Sequence, residues 1–501
     1  MINPFSDGSD QSLRVAPCAL VIFGASGDLT HRKLVPALYN LAVDGLLPAK
    51  FYLTGFARRE WGDAEFRESL SEGVAKHSRR KPVDEAIWHE FSEHTYYVAS
   101  GFDKEEGYQA LRERLDEIDR LTTSPNYFDV ISRHLKSAGL LEQSREGAKS
   151  RVIVEKPFGN DLESAKELNA KLLDCMSEDQ IFRIDHYLGK ETVQNILVFR
   201  FSNGIFEPIW NHKYIDHIEI SVCESIGVGS RAGYFDSVGI MRDIVQNHAL
   251  QLLSLVALEP PVEFAADAVR DEKVKVLRSI RPFDSDEISS KVVRARYQSG
   301  AVDGKQVTGY LAEDGVDGDS TTETYVAMEL SIDNWRWSGV PIFVRAGKRL
   351  AKRITEISIH FKNVPFKLFE NEDVKAVKPN ILSFQIQPDE GISFKLSSKP
   401  PGPKLRVQSV NMDFSYGSSF GVEPPEAYER LLLDGMRGDA TLFTRNDEIE
   451  EAWSLLEPVF EAWSKKPSSA PPVYGYEAGT WGPKVADEMV AKHVGVPWRR
   501  L

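Results

Sequence analysis

The chain has 501 residues, 42% of them hydrophobic and 27% charged, with 35 glycines and 26 prolines; this is enough apolar material for two or three domains at roughly 100 to 200 residues each, and it excludes disorder over most of the length. With 61 Lys and Arg against 75 Asp and Glu, the formal net charge is −14. Such a balance argues against a nucleic-acid partner, because neutralising phosphates takes a basic surface, and any phosphorylated ligand must be held by a few local cations.

The chain opens with MINPFSDGSD, which carries acid and no Lys or Arg, so it is not the basic start of a signal or transit peptide. Residues 1–18 read as a flexible leader. The apolar run ALVIF at 19–23 stops at GASGD, the pattern of a buried parallel strand feeding a turn. Leu34, Ala37, Leu38 and Leu41 recur at helical spacing up to Gly45 and Pro48, and FYLTGFA at 51–57 is a second strand, completing a β-α-β unit. Helical patterns alternate with short strands, RVIVEKP at 151–157 among them, to about residue 185. From about 214 onward YIDHIEISV, ETYVAMELSI, PIFVRAG, TEISIHF and LSFQIQ alternate and are rich in β-branched residues, as long antiparallel strands are. The expected architecture is an α/β doubly wound, Rossmann-like coenzyme domain at 19–185. It is followed by a larger α+β domain at 186–501 with a mainly antiparallel sheet and helices, for substrate binding and oligomerisation. Cys18, Cys175 and Cys223 are far apart and form no CxxC pair, so neither a disulfide framework nor a zinc site is expected. No apolar run approaches the roughly 20 residues that span a bilayer. These features fit a soluble cytoplasmic protein with no membrane partner and inert cysteines.

Strand, then Gly24-Ala25-Ser26-Gly27-Asp28-Leu29, then helix is the arrangement that brings backbone N–H groups and a helix N-terminus to a pyrophosphate. A coenzyme lacking a 2′-phosphate needs an acid at the end of the second strand. Here that strand ends in Gly55-Phe56-Ala57-Arg58-Arg59, and Arg58 can pair with a 2′-phosphate, which favours NADP. Lys33, in the helix after the turn, is either a solvated charge or a second cation facing the coenzyme.

Two segments carry a dense set of reactive side chains. In Arg183-Ile184-Asp185-His186-Tyr187-Leu188-Gly189-Lys190, His186 and Lys190 are four apart and share a face if the segment is helical, a spacing that could grip a phosphate. In Arg242-Asp243-Ile244-Val245-Gln246-Asn247-His248, five steps of about 100° place Asp243 and His248 on different helical faces. A carboxylate orienting His248 is then expected from another segment. Lys348, Arg349, Lys352 and Arg353 could alternatively be one charged helix face.

At this point the sequence resembles the glucose-6-phosphate dehydrogenase family. GASGDL, VEKPFG, RIDHYLGKE, GYFDSVGIMRDIVQNH, GVPIFVRAGK and PEAYERLLLDGMRGDATLF follow the family's order from about residue 19 to beyond 480. The resemblance implies oxidation of glucose 6-phosphate at C1 to 6-phosphoglucono-1,5-lactone, with hydride transfer to NADP, the first step of the oxidative pentose phosphate pathway. It implies His248 as the general base and Asp185 as the carboxylate that orients it. His186, Tyr187 and Lys190 match the phosphate grip, and Lys348 and Arg353 match further substrate-binding cations. Glu224 and Asp243 match acceptors for sugar hydroxyls, with Gln387 in the same shell, and Lys156 before Pro157 matches the lysine between coenzyme and substrate. The coenzyme site is expected at Gly24, Ser26, Gly27, Asp28, Leu29, Lys33, Arg58, Lys156 and Pro157. Family members are homodimers or homotetramers, and the large sheet offers an interface.

One stretch departs from the family pattern. Glu117-Ile118-Asp119-Arg120-Leu121 runs directly into Thr122-Thr123-Ser124-Pro125, where the family has a loop and a strand of the form NRLFYLA. On the order of nine residues are missing, in what would be the fourth strand of the doubly wound order. A deletion, a shortened replacement strand at 118–124, and a copy that has lost activity and serves as an assembly or regulatory partner are all compatible with this sequence.

Overall fold

A computed structural model describes residues 15–501 apart from 49, 119–127, 142–149, 367, 370–377, 404–405, 422–423 and 466–469. The run before the glycine turn forms strand β1 (Cys18–Phe23), buried from Ala19 onward, as an apolar stretch covered on both faces must be. It pairs in parallel with β2 (Phe51–Ala57), which pairs in parallel with β3 (Thr95–Ala99). The crossover between β1 and β2 is a turn of π-helix at Thr30–Leu34 continued by helix Val35–Val43. Pro36 lies just past the π-turn, and Gly45 at φ 68° ends the segment. Strands β4 (Val152–Val154) and β5 (Ile181–Ile184) form a second parallel pair. Among the described residues no ladder joins β1 to β4. The two pieces nevertheless share both covering layers: Ala19, Val21 and Phe23 pack with Val152, Val154 and Ile181, while Leu20 and Ile22 pack with Ile153, Phe182 and Ile184. The junction at Leu121 and Thr122 lies outside the described residues, which resume at helix Phe128–Ser137.

The second half contributes β6 (Ile215–Cys223), β7 (Val292–Gln298), the hairpin β8 (Gly300–Val302) and β9 (Lys305–Val307), β10 (Tyr325–Leu330) and β11 (Ile342–Gly347). It continues with β12 (Ile354–Phe361), β13 (Ile381–Gln387), β14 (Gly391–Ser398), β15 (Gln408–Ser415), β16 (Phe443–Thr444) and β17 (Val473–Glu477). Nine of these form one sheet in the order β15-β14-β13-β12-β6-β11-β10-β7-β17, and β16 returns to the first half as an antiparallel neighbour of β5. The sheet is mainly antiparallel, as expected; within it β6 pairs with β11, and β7 with β17, in parallel. A parallel pair needs a long crossover, and residues 224–341 between β6 and β11 supply one that carries helices and other strands. As a result β6 and β11 end at the same edge of the sheet, where β12 begins and β13 ends. The apolar core lies between this sheet and helices that include Leu250–Ala257 and Asn446–Ser464. No helix of the described residues is long and apolar enough to cross a membrane.

Candidate active site

The chemistry-bearing residues gather where strands of the two halves end. Lys156 follows β4 and Asp185 follows β5; Glu224 follows β6, Lys348 follows β11, Arg353 precedes β12 and Gln387 ends β13. Ligand sites in doubly wound sheets lie outside the carboxyl ends of the strands, and here the same edge is closed from the other side by the second sheet.

His248 sits in a π-helix, Met241–Ala249, and not in an α-helix. Its hydrogen bonds close every five residues, so residues five apart share a face. The expectation that Asp243 and His248 point to different faces is therefore corrected, and both reach one ammonium group. Lys156 Nζ stands 3.1 Å from His248 Nε2 and donates to the Asp243 carbonyl at 2.8 Å and to Asp243 Oδ1 at 3.3 Å. The carboxylate beside the imidazole does come from another segment: Asp185 Oδ1 lies 2.5 Å from His248 Nδ1 and also accepts the Tyr187 N–H at 2.9 Å. Burial alone would raise the Asp185 carboxyl, but the adjoining imidazole and its hydrogen bond outweigh it and hold the group down to about 2. Burial lowers the His248 pKa against the opposing pull of Asp185, so the imidazole is neutral and its Nε2 is an acceptor. Burial would also raise Asp243, and the Lys156 and Lys348 ammonium groups bring it below the ordinary carboxylate value.

Asp185–Lys190 is not helical. The segment is a run of turns from β5 into helix Glu191–Phe201, with Lys190 at the helix N-cap, so a shared helical face does not relate His186 to Lys190. The turns still place His186, Tyr187 and Lys190 together. The Tyr187 ring stacks on His248 at 4.3 Å, His186 crosses His248 edge-on at 4.6 Å, and Lys190 Nζ lies 5.9 Å from the Tyr187 ring centre. Burial keeps His186 neutral, well below the usual imidazole value, and lowers Lys190. Among the described residues neither Lys190 nor the exposed Arg353 has a carboxylate within 4.0 Å. Both are therefore available to an anion. Gln387 donates to the Tyr187 hydroxyl at 3.1 Å and to Thr355 Oγ1 at 2.9 Å, the cross-strand register having set Thr355 opposite Gln387. Lys348 is buried, donates to Glu224 Oε2 at 2.5 Å and lies 3.9 Å from Asp243 Oδ2. It is not part of a charged helix face, because residues 348–353 form the connection between β11 and β12.

At the other end, the glycine turn is tied to the second strand: Gly24 N–H donates to the Phe56 carbonyl at 2.8 Å, which places the turn beside Arg58. Gly24 has φ 80°, and a Cβ on Gly27 would lie 3.0 Å from the Gly24 carbonyl. Both positions suit glycine; the Gly27 N–H closes the turn onto the Gly24 carbonyl at 2.8 Å, and Gly27 and Asp28 are exposed at the start of the helix, where a phosphate could approach. Asp28 pairs with Arg32 at 3.3 Å across the exposed surface, and Leu29 is exposed. Arg58 is exposed at the end of β2. Lys33 is exposed and pairs with Glu426 at 2.8 Å on the surface. The peptide bond between Lys156 and Pro157 is cis.

Sequence reading missed several neighbours. Thr355 is hidden in an apolar-looking strand, and Glu390, which accepts the Thr192 N–H at 2.9 Å, lies near Lys190 only through the β13–β14 turn. Glu155 is hydrogen-bonded to Tyr428, and burial raises its carboxyl to about 7. Tyr428 in turn lies parallel to His186 at 6.4 Å. The EKP and PEAY runs were visible, but nothing in their spacing tied one to the other. The cysteines are free; burial raises the Cys18 thiol to about 11 and also raises Cys223.

Residues 21–195 match the family described as "Glucose-6-phosphate dehydrogenase, NAD binding domain", and residues 197–499 match "Glucose-6-phosphate dehydrogenase, C-terminal domain". The chain belongs to the glucose-6-phosphate dehydrogenase family. It is 46% identical to glucose-6-phosphate 1-dehydrogenase of Chlamydia pneumoniae over 500 residues, 97% of this chain and 96% of that one. It is 47% identical to the enzyme of that name from Aggregatibacter actinomycetemcomitans over 499 residues, 97% and 98% of the two chains. A solved glucose-6-phosphate dehydrogenase in complex with glucose 6-phosphate superposes with a TM-score of 0.87 at 36% identity, covering 97% of this chain and 99% of that one. The enzyme from Mycobacterium avium gives 0.80 at 35%, with the same coverage. As a member of the glucose-6-phosphate dehydrogenase family, the chain is an oxidoreductase with an NAD(P)-binding first domain.

Proposed function

We propose that this dehydrogenase oxidises glucose 6-phosphate at C1 to 6-phosphoglucono-1,5-lactone, using NADP, the entry reaction of the oxidative pentose phosphate pathway. The observation that carries the reading is the His248–Asp185 pair. With Nδ1 bound to an ionised carboxylate, the imidazole keeps Nε2 free to accept the C1 hydroxyl proton. Lys156, 3.1 Å from that nitrogen, marks the place the hydroxyl would take. Lys190 and Arg353, which have no carboxylate within ion-pair distance among the described residues, suit the 6-phosphate together with His186 and Tyr187, while Glu224, Asp243, Lys348 and Gln387 suit sugar hydroxyls. The glycine turn and Arg58 suit NADP, which supplies the hydride acceptor. The solved relative holding glucose 6-phosphate supports the same substrate.

A homo-oligomer fits the exposed edge strand β15, where Val410 and Met412 are 43% and 63% exposed. Nothing in the geometry favours the alternative of a non-catalytic assembly partner. The test of the catalytic reading is His248→Asn, which should lower kcat by at least about 10²-fold while the affinity for glucose 6-phosphate changes little. A variant with near-normal kcat would end the assignment.

A further inference from the structure

Beside His248 a cavity of about 20 Å³ is lined by Lys156, Asp185, Gln246, His248, Gln251 and Glu448, with Asn247, Thr444 and apolar neighbours. That is room for an ordered water. Two buried acceptors line it without a hydrogen-bond partner among the described residues: Asp185 Oδ2 and Gln251 Oε1. The other oxygen of Asp185 is committed to His248 and the Tyr187 N–H. The amide nitrogen of Gln251 is committed to Glu448 Oε2 at 3.2 Å, and this fixes the orientation of the amide, since the reverse would set its oxygen against a carboxylate.

Glu448 is itself fully buried. Its Oε2 pairs with Lys273 Nζ at 2.7 Å, and its Oε1 accepts the Arg445 N–H at 3.0 Å. Side-chain exposure is 1% for Lys273 and 0% for Glu448. An ion pair so deep is costly unless it holds something in place, and none of the roles assigned above uses it. Three helices converge here: Leu250–Ala257 brings Gln251, Ala266–Ser279 brings Lys273, and Asn446–Ser464 brings Glu448.

We propose that the cavity holds one water that donates to Asp185 Oδ2 and to Gln251 Oε1, so that Lys273 and Glu448, through Gln251, position the carboxylate that orients His248. Two buried acceptors on one small cavity are satisfied together by a donor with two protons, and water is the smallest; Lys156, the cation at the same cavity, is already committed to Asp243. Gln251, Glu448 and Lys273 are then positioning residues, acting on the reaction only through Asp185. The inference rests on the reading of His248 as the base.

The test is Gln251→Met, which keeps the volume of the side chain and removes both amide contacts, leaving the Lys273–Glu448 pair intact. Losing the water's donation makes Asp185 a more basic partner that binds the imidazolium more tightly. The acid limb of the pH profile of kcat/KM should therefore move to higher pH and kcat should fall several-fold, with the KM for glucose 6-phosphate unchanged. An acid limb that stays in place or moves down, with only the melting temperature lowered, would overturn the proposal. A crystal structure of the unaltered protein, at a resolution that shows ordered water, gives an independent reading: density between Asp185 and Gln251 supports it, and an empty cavity overturns it. If His248→Asn keeps its kcat, the reading of the base has failed; if His248→Asn is inactive and Gln251→Met leaves the profile unmoved, only this inference has.

Discussion

His248 can act through Nε2 because Asp185 occupies Nδ1, and burial keeps the ring neutral. The sign of the pH dependence follows. The base must be deprotonated, its pKa is below the ordinary imidazole value of about 6.5, and kcat/KM should fall only as the pH drops below that value. Asp185 pulls the His248 pKa upward, so Asp185→Asn should move the acid limb lower still while cutting kcat by on the order of 10²-fold or more as the tautomer loses its anchor. A profile of kcat/KM against pH checks both, and a limb displaced upward in Asp185→Asn would contradict them. At the coenzyme end, Arg58→Ala should weaken NADP by about tenfold or more and leave NAD nearly untouched, because only NADP carries the 2′-phosphate that a guanidinium meets. Direct binding titrations decide it; equal losses would make Arg58 structural. Residue types such as His248, Asp185 and Lys190 were legible in the sequence because their chemistry and local motifs announce them. Thr355 and Tyr428 were not, since each reaches the site by cross-strand register or by a contact between distant segments. The Lys33 partner, Glu426, was hidden for the same reason, lying 393 residues away.

The element that decides the site is the π-helix Met241–Ala249, and its start is built on one glycine. Gly239 has φ 73° and ψ 167°, a conformation open essentially to glycine alone. A Cβ there would meet Glu323 Oε1 at 2.4 Å, the same oxygen that accepts the Met241 N–H at 3.1 Å. Gly239→Ala should therefore cost about 1–3 kcal/mol of stability for the backbone alone and lower kcat by displacing Asp243 and His248 together. Gly204→Ala, where a Cβ meets nothing within 4 Å, is the control and should stay within about 0.5 kcal/mol. Urea unfolding and initial rates on both variants test this, and a Gly239→Ala protein as stable and active as the parent would contradict it. FYLTGFA at 51–57 was legible as β2 to the residue, because a short apolar run bounded by polar turns marks a strand. A π-turn was not, because the apolar pattern of a helix does not reveal whether hydrogen bonds skip four residues or five. The parallel pairing of β6 with β11 was equally hidden, since alternation marks a strand but not its neighbour's direction.

Across the whole molecule, an acidic chain with a net charge of −14 collects Lys156, Lys190, Lys348 and Arg353 at one edge shared by two sheets. That concentration suits the anionic sugar proposed as substrate. The same edge depends on the first domain holding the glycine turn of β1 level with Lys156 and Asp185 just after β4 and β5, and the junction of Leu121 with Thr122, which bears on this, lies outside the described residues. Shared packing layers on both faces keep the two parallel pieces together. The most direct measurement is the rate of NADPH formation, followed by absorbance, when the purified chain is mixed with glucose 6-phosphate and NADP. Formation that requires both compounds, and that nearly vanishes when glucose replaces glucose 6-phosphate, is the expected result; a chain that binds glucose 6-phosphate and yields no NADPH would contradict the assignment.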